Sequence, residues 1–217
     1  MDKREKAAKV LDILEKEFPG ATTALQFENP LQLLIATILS AQATDKLVNQ
    51  VTESLFKKYR TAKDFASADP AALEACLSSI NFYRNKAKSV KGACVKIVGE
   101  FGGKVPETLE ELTTLPGVGR KTANIVLANA FGKAALAVDT HVKRVAQRLG
   151  LTDSDDPDKI EADLTAIIPP ERWTMTTHLF IHHGRKTCKA LRPGCEHCPI
   201  QDYSVYYKEE FLKKKKK

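Results

Sequence analysis

The sequence lacks a hydrophobic run long enough to cross a membrane. Its 217 residues contain no stretch of about 18 consecutive apolar residues. The first residues, MDKREKAAKV, are charged where a signal peptide would have an apolar core. We therefore expect no membrane partner and a cytoplasmic location. Since 43% of the residues are hydrophobic, the chain can still bury a substantial core.

Alternation of apolar and polar residues with period two, the mark of a β-strand, is also missing. Apolar residues instead recur at helical spacing, as they do in segment 7–18. Asn29, Asp69 and Asp156 each precede a proline, which is typical of a helix start. Thr108, followed three residues later by glutamate, is typical of a capping box. The sequence therefore predicts an all-α fold of roughly ten short helices.

Cysteine is scarce and odd in number. Three of the five cysteines, Cys188, Cys195 and Cys198, fall within eleven residues. In a reducing compartment, this spacing favours a metal site over disulfides. Cys76 and Cys94 lie on apolar helical faces, so we expect them in the core.

Charge alone is weak evidence for a polyanionic partner. The net charge is +7, and subtracting the five terminal lysines, 213–217, leaves +2 for the rest of the chain. Those lysines are either a flexible phosphate-binding tail or an artificial addition. Three local basic clusters lie at Arg84, Lys86, Lys88 and Lys91, at Lys143, Arg144 and Arg148, and at Arg185, Lys186, Lys189 and Arg192. Each cluster suits either DNA phosphates or a solvated helix face.

The segment LEELTTLPGVGRKTANIVLANAFG predicts two helices joined by a tight turn. The first helix breaks at Pro116, and the second starts at about Arg120. Gly117 and Gly119 flank Val118, so the turn exposes backbone amides with no side chain in front of them. Such amides at a helix N-terminus bind phosphate without reading base sequence. This pattern is a helix-hairpin-helix, which is also found in non-catalytic DNA-binding proteins.

Lys121 follows in the first turn of the second helix. A neutral amine there can attack the anomeric carbon of a nucleotide, expel the base and form a Schiff base. Neighbouring Arg120, the positive helix end and partial burial would all lower the pKa of Lys121, which favours the neutral amine. A surface lysine that contacts phosphate is the alternative.

Asp139 precedes another amphipathic helix, in the segment AVDTHVKRVAQRLGL. It suits an N-cap. A carboxylate there can also stabilise a cationic sugar and help to deprotonate an amine. The two roles are compatible, because capping would hold the carboxylate rigid.

Together, LPGVGRKTAN and VDTH resemble the signature of the endonuclease III family of helix-hairpin-helix DNA glycosylases. The similarity extends from LLIATILSAQATD to the cysteine segment. It implies that Lys121 is the Schiff-base nucleophile and Asp139 the essential aspartate. The implied function is a bifunctional glycosylase and abasic-site lyase that removes oxidised pyrimidines, such as thymine glycol, from double-stranded DNA in base excision repair. Adenine-specific relatives lack this lysine and only remove the base.

The resemblance also assigns one residue to the gap left by the extruded nucleotide and a second to a wedge against the opposite strand. Gln42, in SAQATD, matches a residue that bonds the orphaned base. Phe82, in INFYRNKA, matches an apolar wedge, although the sequence alone also allows a core residue. The DNA-contacting positions implied besides these are Leu115, Gly117, Val118, Gly119, Arg120, His141 and Lys189. A histidine at a helix start, such as His141, also suits a structural role.

Family members hold a 4Fe-4S cluster with four cysteines spaced by six, two and five residues. Cys188, Cys195 and Cys198 match the first three, but Ser204 stands at the fourth position. Serine ligates iron less well than a thiolate does, so a three-iron form is possible. Completion of the site by His183 or His197, a zinc ion, and an empty loop are the alternatives. We expect a cluster and no organic cofactor.

The resemblance implies two domains in a monomer. Residues 22–132 would form a six-helix domain with the hairpin, and residues 1–21 plus 133–217 a helical domain with the cysteine loop at about 184–206. Three other functions remain as alternatives: a DNA-binding protein without chemistry, a purine or mismatch glycosylase, and a zinc nuclease. Intact Lys121 and Asp139 argue against the first. Lys121 also argues against a purely monofunctional glycosylase, and no histidine and carboxylate set supports the nuclease.

Overall fold

The structure is a computed structural model that describes residues 1–215, with side chains for residues 1–213. The pentalysine extends beyond these bounds, so its predicted role as a tail lies outside the described residues. Residues 1–215 contain no β-strand, which confirms the all-α prediction. The helices are α1 (Lys3–Glu17), α2 (Pro30–Leu39), α3 (Asp45–Lys58), α4 (Ala62–Ser67), α5 (Pro70–Leu77), α6 (Tyr83–Glu100), α7 (Leu109–Thr113), α8 (Arg120–Ala130), α9 (Thr140–Leu149), α10 (Pro157–Ile167), α11 (Trp173–Lys186) and α12 (Leu212–Lys215).

The helix starts follow from local capping chemistry. Asn29 Oδ1 accepts the Gln32 amide at 3.0 Å, and Asp69 Oδ2 accepts the Ala72 amide at 2.8 Å. Asp156 Oδ1 caps α10 in the same way, with Pro157 as the first helical residue. The three predicted starts are therefore confirmed.

Contacts between Cα atoms divide the chain into two compact units. The continuous unit is Thr23–Lys133, and the discontinuous unit combines Met1–Thr22 with Ala134–Lys217. The continuous unit contains seven helices, α2 to α8, where the sequence analysis expected six.

The core of the continuous unit is organised around α2. Its residues 33–39 are all buried, so α2 is apolar on every side and packs against α3, α6 and α8. Cys94 of α6 is also buried, as expected. Cys76 of α5 is only half-buried, so its predicted place in the core is wrong.

The discontinuous unit has its own core between α1, α9, α10 and α11. The predicted stripe of α1 supplies Ala7, Val10, Leu11 and Leu14, each at most 1% exposed. Phe180 of α11 is fully buried in the same cluster. None of the helices in residues 1–215 has both the length and the apolar character needed to span a bilayer.

Candidate nucleic-acid interface and cysteine loop

The hairpin lies between α7 and α8, where the sequence placed it. The Val118 amide donates to the Leu115 carbonyl at 3.0 Å, which closes the turn. The side chains of Leu115 and Val118 are 2% and 6% exposed. These two residues can therefore meet DNA only through their backbone groups.

Gly117 is required at this turn for two reasons. Its φ of +78° lies in the left-handed region, which costs about 1–2 kcal/mol for a residue with a side chain. A Cβ at Gly117 would also lie 2.6 Å from Ser89 Cβ on α6. Gly119 has neither constraint, since its φ is −92° and a Cβ there would meet nothing within 4 Å.

Gly119 is instead the N-cap of α8. Because it has no side chain, no side chain caps the first turn of this helix. The first amides of a helix have no partner within it, so they face outward as hydrogen-bond donors. Arg120 and Lys121 belong to that turn, and both are exposed. The partial burial expected for Lys121 is therefore wrong.

Asp139 is the N-cap of α9, as its position predicted. Its Oδ1 accepts the amides of His141 and Val142, each at 2.8 Å. Both cap bonds use the same oxygen, so Oδ2 takes no part in the cap. The half-buried carboxylate is thereby held at a fixed orientation at the helix end.

The backbone before Asp139 is anchored to α11. The Ala137 amide donates to Thr177 Oγ1 at 3.0 Å, and the Thr177 hydroxyl donates to the Ala137 carbonyl at 3.3 Å. Both residues are buried. A buried threonine in a helix carries no recognisable sequence signal for anchoring a distant backbone, so the role of Thr177 was not predictable from the sequence.

His141 lies in the first turn of α9. Its Nδ1 is 3.0 Å from Arg144 Nη2, and burial is the main cause of the lowered pKa of His141. Asp139 acts in the opposite direction, while Arg144 and Arg185 lower the pKa further. His141 is therefore a half-buried side chain with a structural contact at one ring nitrogen.

Gln42 and Phe82 lie at two turns of the continuous unit. Gln42 has a φ of +54° and Phe82 a φ of +59°, which places both in the left-handed region. Such a backbone costs a non-glycine residue of order 1–3 kcal/mol and is concentrated at functional sites. Gln42 is exposed, and Phe82 is 61% exposed. Phe82 is thus not the core residue that the sequence also allowed.

Several members of the basic clusters are engaged within the protein. Lys86 is buried, and Lys91 donates to the Ala68 carbonyl. Lys143 pairs with Asp155 at 2.8 Å. The prediction that cluster members face either phosphate or solvent is therefore wrong for Lys86 and Lys91. The surface ion pair of Lys143 is compatible with a solvated helix face.

Two arginines of α9 hold the cysteine loop. Arg144 Nε donates to the Cys188 carbonyl at 2.9 Å, and its Nη2 donates to the Gly184 carbonyl at 3.1 Å. Arg148 donates to the Lys189 carbonyl at 2.8 Å and to Cys188 Sγ at 3.3 Å. The loop is thus fixed through its carbonyls, and the side chain of Lys189 remains exposed.

The three cysteines of the loop line one cavity of about 20 Å³, together with His183 and Ser204. Cys198 Sγ lies 3.7 Å from His183 Nε2, whereas His197 is exposed and does not line the cavity. Within residues 1–215, no group of three or more histidine, cysteine, aspartate or glutamate side chains is arranged to hold a metal ion. The thiols suit iron or zinc as donors, but they are not closed around a metal position.

Ser204 does not fit as the fourth ligand. Its hydroxyl donates to the Arg148 carbonyl at 3.0 Å and accepts the Tyr207 amide at 3.1 Å. The first bond holds the C-terminal segment against α9, and the second is a local bond within that segment. The residue at the fourth ligand position therefore acts as a hydrogen-bonding anchor.

Comparisons with known proteins agree with this arrangement. A family model described as "HhH-GPD superfamily base excision DNA repair protein" matches residues 35–170. The chain is 52% identical to endonuclease III of Synechocystis over 199 residues, which cover 91% of each chain. It is 45% identical to endonuclease III of Bacillus subtilis, with 88% of this chain and 87% of the relative covered.

Solved structures show the same similarity. A trapped endonuclease III–DNA covalent intermediate matches with a TM-score of 0.92 and 45% identity, over 97% of this chain and all of the other. A non-covalent endonuclease III–DNA complex also matches with a TM-score of 0.92. A thermostable thymine-DNA glycosylase, 23% identical with a TM-score of 0.82 over 95% of this chain and 97% of the other, shows the shared fold alone.

Proposed function

The chain belongs to the HhH-GPD superfamily of base excision DNA repair proteins and, within it, to the endonuclease III family, and we propose that Lys121 and Asp139 carry out its chemistry. It is a bifunctional DNA glycosylase and abasic-site lyase, and its partner is double-stranded DNA. We infer further that the excised bases are oxidised pyrimidines such as thymine glycol and that the enzyme works in the cytoplasm.

The position of Lys121 is the observation that carries the assignment. Its exposed amine lies in the first turn of α8, beside backbone amides that no side chain caps. A phosphate bound by those amides would bring a nucleotide within reach of the amine. A related endonuclease III has been trapped as a covalent DNA intermediate, which supports covalent chemistry in this family.

The reaction begins when the lone pair of Lys121 Nζ attacks C1′ of the damaged nucleotide. The glycosidic bond breaks, and the base leaves with the bonding electrons and takes up a proton. Opening of the sugar ring protonates O4′ and gives an iminium between Lys121 and C1′. Loss of a proton from C2′ then expels the 3′ phosphate, and water hydrolyses the iminium to regenerate the lysine.

Asp139 assists at the first step. Because Oδ1 is held by two amides, Oδ2 can accept a proton from the ammonium of Lys121 and stabilise positive charge on the sugar. The rigid cap keeps the carboxylate preorganised, so little reorganisation accompanies the reaction.

The remaining predicted contacts are proposed to position the duplex. The hairpin segment 115–120 binds phosphate through its amides, and His141 and Lys189 contribute further backbone contacts. Gln42 fills the gap left by the extruded nucleotide, and Phe82 acts as an apolar wedge against the opposite strand. Their exposure and left-handed backbone support this role, since unusual backbone conformations are concentrated at functional sites.

The family generally carries a 4Fe-4S cluster, and we propose that this chain holds one through Cys188, Cys195 and Cys198. Thiolates are the ligands that such clusters prefer. When bound, the cluster supplies a crosslink that keeps the loop in shape. Ser204 is not part of the ligand set, because its hydroxyl is engaged in two hydrogen bonds. We also propose that the two compact units are the two domains of the enzyme.

Borohydride trapping tests the assignment of the nucleophile. The reagent reduces an imine to a stable amine, so wild type should become covalently linked to duplex DNA that contains thymine glycol or an abasic site. Lys121→Ala should give no crosslink. Lys104→Ala removes another exposed lysine of the continuous unit and should trap like wild type. Equal trapping of all three proteins would show that another amine is the nucleophile.

A further inference from the structure

Gln42 and Phe82 are the only non-glycine residues with a positive φ among residues 1–215. Gln42 lies in the turn that follows α2, and Phe82 immediately precedes α6. Two separate segments therefore present the two side chains proposed to enter the duplex. Both must be held in a fixed relation if Gln42 is to fill the gap while Phe82 wedges the opposite strand at the same site.

Lys86 connects these two segments. It lies on α6 one turn after Phe82, and its amide donates to the Phe82 carbonyl at 3.1 Å. Its Nζ donates to the carbonyls of Leu39 and Ala41, at 2.9 and 2.6 Å. Ala41 is the residue before Gln42. Lys86 thus bonds the backbone of Phe82 and that of Ala41, the neighbour of Gln42.

The chemistry of this contact is unusual for a lysine. The side chain is 6% exposed, and burial lowers its pKa. Lysine is rarely buried unless it is paired. Here the partners are the carbonyl of Leu39, the last residue of α2, and that of Ala41, two residues later. The Leu39 carbonyl has no acceptor role within the helix and lies at the negative end of its dipole. The buried ammonium therefore joins α6 to the end of α2 and to the turn that follows it.

A second bond supports the Gln42 turn. Asn81 Nδ2 donates to the Gln42 carbonyl at 3.4 Å, and Asn81 directly precedes Phe82. The same face of α6 also contacts the hairpin. Ser89 Cβ closely approaches the backbone of Gly117, and Pro116 closely approaches the backbone of Gly92. One helix thereby contacts the Gln42 turn and the hairpin and follows directly after Phe82.

We propose that Lys86 is a positioning residue that fixes the Gln42 turn relative to Phe82, so that both side chains enter the duplex in register. The inference rests on the proposed roles of Gln42 and Phe82. Lys86 does not touch DNA. Its effect should therefore appear only where a gap in a duplex has to be filled, and not in the chemistry of the imine.

The test compares lyase rates on an abasic site in a duplex and in a single-stranded oligonucleotide. A single strand has no orphaned base, so it does not need Gln42 and Phe82. Lys86→Met keeps the length of the side chain and removes the donors. We expect about a tenfold loss of rate on the duplex and a change within about twofold on the single strand. Lys63→Met changes an exposed lysine of α4 in the same unit and should match wild type on both substrates.

A double-mutant cycle shows whether Lys86 acts through Gln42. If it does, Lys86→Met should slow duplex cleavage little further once Gln42→Ala is present. Additive losses, equal losses on both substrates, or wild-type rates with Lys86→Met would each overturn the proposal. Lys86→Gln retains a donor, so it should recover part of the duplex rate, and it serves as the test variant should the methionine variant not fold.

The same experiment separates this proposal from the one on which it rests. Gln42→Ala and Phe82→Ala should each reduce the duplex rate and spare the single strand. If neither does so, the proposed roles of Gln42 and Phe82 are wrong. If both do so while Lys86→Met and Lys86→Gln behave like wild type, only the positioning role of Lys86 is wrong.

Discussion

Asp139 has two tasks that one substitution can separate. Its oxygen caps α9, and its charge is proposed to assist Lys121. Asparagine caps helices about as well as aspartate does but carries no charge. We therefore expect Asp139→Asn to unfold in urea within about 0.5 kcal/mol of wild type, and to release thymine glycol at least about 100-fold more slowly in single-turnover assays.

Asp139→Ala is the matched control for this prediction. Alanine removes the charge and the cap together, so activity should fall as far as in the asparagine variant. The free energy of unfolding should fall by about 1 kcal/mol as well. An active Asp139→Asn variant would show that the residue only caps the helix.

Residue roles that depend only on neighbouring positions were predictable from the sequence. The N-cap at Asp139 was predictable because it depends on the two or three residues that follow it. The burial of Lys86 was not, because its acceptors lie 45 and 47 positions away in the chain. The exposure of Lys121 was predicted wrongly for the same reason, since burial depends on the packing of distant segments.

Among the helices of the continuous unit, α6 supports the segments that are proposed to contact DNA. Phe82, Lys86, Ser89 and Gly92 follow one another at intervals of four, three and three residues, which places them along one side of the helix. From this side the helix supports Phe82, the Gln42 turn and the hairpin. Helical periodicity in the sequence shows that such a face exists, but not which turns pack against it.

Gly117→Ala tests the seating of the hairpin on α6. The new Cβ would face both a left-handed backbone and Ser89, so we expect a loss of about 1–2 kcal/mol or more in the free energy of unfolding. Affinity for undamaged duplex should fall as well, because the turn that presents the amides is displaced. Urea unfolding and fluorescence anisotropy at fixed salt measure the two effects.

Gly99→Ala provides the control, in the last turn of α6. A Cβ there would meet nothing within 4 Å. Since alanine favours a helix over glycine, the variant should be as stable as wild type or more stable by up to about 1 kcal/mol. If Gly117→Ala unfolds like Gly99→Ala, the close approach of hairpin and helix is not a constraint.

Helix starts were the most predictable elements. The caps at Asn29, Asp69 and Asp156 were confirmed, and each is a local bond between a side chain and an amide. The capping box expected at Thr108 is different in detail, because Glu111 accepts the Thr108 hydroxyl at 2.7 Å rather than the backbone amide. A complete box lies instead between Thr61 and Asp64, a pair that the sequence analysis did not single out.

At the scale of the whole molecule, net charge explains little of DNA binding. Five of the positive charges belong to residues 213–217, and many other cations bond carbonyls or carboxylates within the protein. We propose that the hairpin amides bind phosphate without these cations. Binding should then be less sensitive to salt than a net charge of +7 suggests, because an uncharged amide neutralises no phosphate and so releases no counterion from the DNA.

Hydrogen bonds hold the cysteine loop and the C-terminal segment, where Ser204 stands at the position of the fourth cysteine. Arg144 and Arg148 hold the loop through hydrogen bonds, and Ser204 joins the C-terminal segment to α9. These bonds do not require a metal. We therefore expect the protein to keep its fold when a chelator removes the cluster, while the three-cysteine site loses iron readily.

Ser204→Cys should slow the loss of iron and lower the stability of the iron-free protein. A fourth thiolate would complete the ligand set, so visible absorbance should decay more slowly under chelator than in wild type. The iron-free variant should be less stable than iron-free wild type by about 1 kcal/mol, since a thiol replaces the hydroxyl that bonds Arg148 and Tyr207. Ser78→Cys adds an exposed thiol elsewhere and should lose iron at the wild-type rate. Equal rates of iron loss in all three proteins would show that residue 204 does not limit retention of the cluster.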